Sequence, residues 1–149
     1  MFLLTFALAG SGCISAATPA QHVPAARSSY VSDAASVQKV EVIHFHTDQF
    51  CESCEIVGEL SEDTVRTGYP TDLASGKIVY MHINVDDPAN RNFVEKYGAT
   101  GSSLWTGVYD KTGFHPQEDL KVWYLIGDKV AFSSHLKGVI DSRLSDELD

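Results

Sequence analysis

His44-Phe45-His46-Thr47-Asp48-Gln49-Phe50-Cys51-Glu52-Ser53-Cys54 decides how the rest of the chain is read. The apolar run Val40 to Phe45 enters this stretch, and Ile56, Val57, Leu60 and Val65 leave it at helical spacing. The pattern is strand, short loop, Cys-x-x-Cys, helix. A helix N-terminus offers free N–H groups and partial positive charge, which favour a thiolate on the first cysteine. Cys-x-x-Cys beside a strand–helix–strand pattern points to a redox motif.

Reading outward, Lys39–Thr47 is the first expected strand, with burial on both faces in its latter part. The first helix is expected from Cys51 to about Gly68, where Gly68-Tyr69-Pro70 stops it. Leu73-Ala74-Ser75-Gly76 reads as a loop or short turn, and Lys77–Val85 as a second strand. Asp87 and Pro88 are the N-cap and first residue of a helix running to Tyr97, with Gly98 as its C-cap. Leu104–Tyr109 is a third strand and Asp110–Gly113 a turn. Val122–Ile126 is a fourth strand, continued by Val130–Phe132. A last helix begins at Ser133 or Ser134 and carries Leu136, Val139, Ile140 and Leu144. The order βαβαββα gives an α/β fold: a central mixed sheet of four to five strands, flanked by helices, with an antiparallel hairpin at its end.

The N-terminal part has a different character. The first 26 residues hold no Asp, Glu, Lys or Arg, and Phe2–Ala9 is apolar, followed by Gly10-Ser11-Gly12-Cys13. This layout matches an export signal. Small residues ahead of Cys13 suggest a lipoprotein processing site, and cleavage after Ala17 is the rival. Residues 14–38, rich in Ala, Ser, Thr and Pro, read as a flexible tether. The organisation is therefore 1–13 export segment, 14–38 tether and 39–149 folded domain. The expected location is the cell envelope, with a lipid anchor on Cys13 holding the domain at the extracytoplasmic face of a membrane. With 11 basic and 20 acidic residues the net charge is −9, which argues against a nucleic-acid partner.

Three readings of Cys51 and Cys54 stay open at this point. They can form a reversible dithiol/disulfide, a permanent structural clip in a binding module, or part of a zinc or copper carrier site with His44 and His46. The first is favoured; no metal and no dissociable cofactor are assigned. Asp48, Glu52, Glu55 and Glu59 bring negative charge that raises a thiol pKa, while the helix dipole and a charged His46 oppose it. His82 and His115 read as ordinary sheet histidines. Trp105, Tyr109, Trp123 and Tyr124 read as aromatic residues on strands.

From Lys39 to Leu144 the chain resembles a thioredoxin-like domain. Val42–Thr47 followed by Phe50–Cys54 is similar to that family's first strand and Trp-Cys-Gly-Pro-Cys. Ile83-Asn84-Val85-Asp86 is similar to its Asn-Ile-Asp, and Tyr97–Leu104 to its Tyr-Gly-Ile-Arg-Gly-Ile-Pro-Thr. The resemblance implies thiol–disulfide exchange with protein thiols and disulfides and with an unidentified redox partner. Cys51 would be the exposed attacking thiol and Cys54 the buried resolving one. Phe50, Ser102 and Ser103 would lie on the substrate surface, and His44, His46 and Glu52 would tune the thiols. Ser103 stands where the family has a cis-proline, and a non-proline cis bond costs about 3–4 kcal/mol. A trans peptide and an altered substrate groove are expected there. His44 stands where the family has a buried acid, and Glu52-Ser53 separates the cysteines.

Overall fold

A computed structural model of the chain describes residues 36–145. The expected export segment, Cys13 and all but the last residues of the tether lie outside this range. Four strands, β1 (Lys39–His46), β2 (Ile78–Asn84), β3 (Ser103–Tyr109) and β4 (Phe114–Glu118), form one sheet in the order β2-β1-β3-β4. β1 pairs in parallel with β2 and antiparallel with β3, which turns back into β4. Four helices, α1 (Glu52–Gly68), α2 (Pro70–Ser75), α3 (Arg91–Tyr97) and α4 (Lys129–Leu144), cover it. The molecule is thus an α/β protein with a four-stranded mixed sheet flanked by helices.

The alternation along β1 builds two cores. The face of the sheet that carries Val40 and Val42 packs with Leu104 and Val108 against Val57 and Val65 of α1 and Phe132, Leu136 and Ile140 of α4. Ile43 and Phe45 point the other way, joining Ile83, Tyr97, Ala99 and the α3 side chains Phe93 and Val94. A charge sits in this second layer. Glu41, 4% exposed, accepts from Lys39 Nζ at 2.7 Å, Lys96 Nζ at 3.0 Å, Tyr97 Oη at 2.8 Å and Tyr109 Oη at 2.9 Å. Burial pushes its pKa up, but the bonds from Lys39, Tyr97 and Lys96 outweigh that and hold it below the usual glutamate value.

Three expected elements differ. Residues 73–76 are not a loop throughout: Pro70, at the first helical position, opens α2, and Gly76 closes it at φ 76°. The fourth strand is Phe114–Glu118, not Val122–Ile126. Leu120–Tyr124 is a 3₁₀ helix capped by Asp119, whose side chain accepts from Lys121 N. It buries Val122 in the first core and leaves Tyr124 exposed. Val130–Phe132 is no strand either. Asp128 accepts from Val130 N and Ala131 N at 3.1 and 3.0 Å, so α4 starts at Lys129, four residues before the expected Ser133. Trp123 and Tyr124 accordingly lie on the 3₁₀ helix.

Two helix-interior glycines make opposite predictions. At Gly138 in α4 an added Cβ meets nothing within 4 Å, so Gly138→Ala should stabilise the domain by about 0.5–1 kcal/mol. At Gly58 in α1 it would stand 2.7 Å from His44 Nδ1 and 2.9 Å from His82 Cε1. Overpacking of about 1–3 kcal/mol exceeds the helix-propensity gain of about 1 kcal/mol, so Gly58→Ala should destabilise by about 1 kcal/mol. Urea midpoints of the two variants against the parent test both signs.

Candidate functional site

The loop from β1 to α1 is pinned to the end of β2. Asp48 N donates to Asp86 Oδ2 at 2.8 Å, and Asn84 Nδ2 donates to Asp48 Oδ1 at 2.6 Å. This delivers Cys51 to the N-cap of α1, where its Sγ accepts from Cys54 N at 3.3 Å. Cys51 and Cys54 are joined as a disulfide, with Cα atoms 5.2 Å apart. Cys54 is 8% exposed, whereas Cys51 is only partly covered. Glu52 and Glu55 lie in the first turn, where negative charge suits the helix dipole. Phe50, immediately before the pair, is 80% exposed.

One turn further along the same face of α1, Gly58 rests on a histidine cluster. His44 and His82 face each other in the β1–β2 register, Nδ1 to Nδ1 at 3.1 Å. His46 stacks 6.1 Å from the His44 ring. With Glu55, Glu59 and Glu62 these rings line a cavity of about 130 Å³. The hydrogen bonds set the tautomers of the neutral pair. Tyr80 Oη donates to Gly58 O at 2.9 Å, so its oxygen is left to accept from His82 Nε2 at 3.1 Å. Glu62 Oε2, 3.4 Å from the same nitrogen, favours a proton there as well. His82 Nε2 therefore carries the hydrogen and its Nδ1 the lone pair, which accepts from His44 Nδ1. His44 Nε2 is then a bare lone pair, sealed from solvent and without a partner. Burial first, then the neighbouring His82 and His46, pull the His44 pKa down to about 4.

Ser103 opens β3 opposite Phe45 and is 5% exposed. Its hydroxyl donates to Gly101 O at 3.1 Å and accepts from Trp105 Nε1 at 2.9 Å, so its polar capacity is used locally. Ser102 is partly exposed beside it. Phe50, Cys51, Glu52 and Cys54 thus share the helix start, and His44, His46 and His82 share the adjoining cavity. Sequence reading placed His82 on the strand neighbouring His44 and His46 but favoured an ordinary sheet histidine; the β1–β2 register sets it directly opposite His44. His115 bonds Asp110 and Thr112 at a turn. Among the described residues, no three His, Cys, Asp or Glu side chains stand together in a metal-binding arrangement. Compared with protein-family models, curated proteins and solved structures, the chain matches none.

Proposed function

We propose that residues 39–149 form a thioredoxin-like domain that exchanges thiols and disulfides through Cys51 and Cys54. The observation that carries this reading is the unequal cysteine pair at the start of α1: Cys51 is the more exposed residue, at the N-cap, and Cys54 is buried one turn in. An incoming thiolate attacks Cys51 Sγ, the Cys51–Cys54 bond breaks, and Cys54 leaves as a thiolate that takes up a proton. A second substrate thiolate then attacks the substrate sulfur of the mixed disulfide. Cys51 is released as a thiolate, the substrate gains a disulfide, and two electrons have passed to the protein. The reverse sequence reduces a substrate disulfide. Exposed Phe50 supports an apolar contact with substrate chain next to the reacting sulfur. The uncharged, apolar N-terminus and Cys13 support an exported, lipid-anchored protein that meets its partners outside the cytoplasm.

Cys54→Ser tests this reading. With the resolving thiol gone, Cys51 should hold partner proteins in mixed disulfides that dithiothreitol releases, and the captured partners should be exported proteins. The Cys51→Ser variant should capture none. A Cys54→Ser protein that traps no partner through Cys51 would remove exchange as the function.

A further inference from the structure

A second cleft lies away from the cysteines, between α4 and the β3–β4 hairpin. Its volume is about 460 Å³, within the range of small-ligand sites. The residues that α4 turns inward are Phe132, Leu136, Ile140 and Arg143, so an apolar stripe at helical spacing ends in a guanidinium. Across the sheet, Val42, Thr106 and Gln117 stand in register on β1, β3 and β4. Val42 belongs to the core beneath α1 and α4, which puts Thr106 and Gln117 on the same side of the sheet. Both line the cleft together with Arg143. Glu118, in register with Trp105, sends its side chain to the opposite face.

Arg143 is 8% exposed and Thr106 1%. Neither side chain makes a hydrogen bond or ion pair among the described residues. Their polar atoms are not sealed off either: the sealed, unpartnered side-chain atoms among the described residues are His44 Nε2 and Ser61 Oγ. The guanidinium and the Thr106 hydroxyl therefore open onto the cleft they line. A buried guanidinium without an acceptor is costly, and a neutral acceptor leaves its charge unbalanced. An anion offsets both. The other lining groups fix how much charge that anion carries. Arg143 is the one Lys or Arg among the lining residues. His135 Nε2 lies 3.0 and 2.8 Å from the two oxygens of Asp119, which closes that pair on itself. A single cation matches a single negative charge, and the Asp119 carboxylate on the same cleft repels a second. A planar carboxylate that accepts two parallel N–H bonds is the monoanion that fits the guanidinium fork.

We propose that this cleft binds a small organic monocarboxylate, with its carboxylate on Arg143 and its uncharged body against Thr106 and Val139. The site shares no residue with the cysteine chemistry, so neither reading stands or falls with the other.

Titration of the full-length chain at neutral pH by calorimetry, with backbone chemical shifts followed in parallel, tests the proposal. The probes are three acids, propionate, hexanoate and benzoate, each against its own uncharged amide, with inorganic phosphate as the rival anion. At least one acid should bind and shift the backbone N–H signals of Thr106, Gln117 and residues 138–143. Its amide, which has the same shape without the charge, should bind about tenfold more weakly or worse, and phosphate should bind more weakly than that acid. In Arg143→Gln the acid and its amide should become indistinguishable. Arg143→Lys keeps the charge but loses the fork, so its preference for the acid should fall between the two. Binding of none of the three acids overturns the proposal, as does equal binding of acid and amide by the unsubstituted chain. Tighter binding of phosphate than of every acid overturns it too, and so do shifts confined to residues outside the cleft. The comparison of acid with amide uses the unsubstituted chain alone, so it decides the matter even if the Arg143 variants do not fold.

Discussion

Replacing Glu41 by alanine should lower the stability of the domain by about 3–5 kcal/mol, the largest loss expected from any single polar side chain here. Glu41 is 4% exposed on the central strand, so its carboxylate was taken out of water to be there. Four donors compensate it: Lys39, Lys96, Tyr97 and Tyr109. Alanine leaves those donors behind. Tyr97 Oη is buried with Glu41 as its acceptor, and Lys96 would remain over the rings of Phe93, Tyr97, Tyr109 and Phe114 with no counter-charge beside it. The two lysines keep about a third of their side chains in contact with water, which places the loss toward the lower end of the range. Glu41→Gln, which keeps the shape and one acceptor, should lose less. Equilibrium unfolding in urea at neutral pH measures both. A loss under 1 kcal/mol for the alanine variant would show that the network contributes no more than a surface ion pair.

The second large effect is a pH dependence centred on His44. Its side chain is held neutral in the folded state, with a pKa of about 4, against an ordinary value near 6.5. The unfolded chain therefore binds the proton first as pH falls, and folding stability falls with it. The loss begins near pH 6.5, reaches about 2 kcal/mol at pH 5, and levels off at about 3 kcal/mol below pH 4. His82, His46 and the carboxylates Glu55, Glu59 and Glu62 face the same cavity. His44→Leu removes the titrating group, so its stability should be nearly flat between pH 7 and pH 5. The measurement is the urea midpoint at several pH values for both proteins. Parallel curves would mean that the ring takes its proton in the folded state without difficulty.

Much of the fold was legible because its signals are local. Val40–Phe45, Asp87-Pro88 and Gly98 each state their role within a few residues, and the structure places a strand, a capped 3₁₀ turn leading into a helix, and a left-handed C-cap at φ 71° there. Residues 114–132 misled because composition and position disagreed. Phe114-His115-Pro116-Gln117-Glu118 is polar and holds a proline, yet it is a strand because it lies at an edge and leaves its outer side unpaired by any described strand. Val122–Ile126 has the letters of a strand, but burying Val122 and capping with Asp119 make it helical. Asp128 was the overlooked N-cap of α4. Of the site, the cysteine pair was readable from spacing. The His44–His82 bond, the Gly58 notch beneath α1 and the Glu41 network were not, since each depends on a register between segments far apart in sequence.

The central position of β1 bears on how the chain is made. β1 leaves the ribosome before all its partners, with both edges open and apolar residues on both faces. β2 can cover one edge only after α1 and α2 have been synthesised, and the other edge waits for β3. A nascent chain stopped short of Tyr109 therefore displays, in incompletely paired form, a strand that is largely buried once the domain has folded. During synthesis, protection of that strand falls to a chaperone or to early packing of α1, and ribosome-bound chains of increasing length should become protease-resistant only once β3 has emerged.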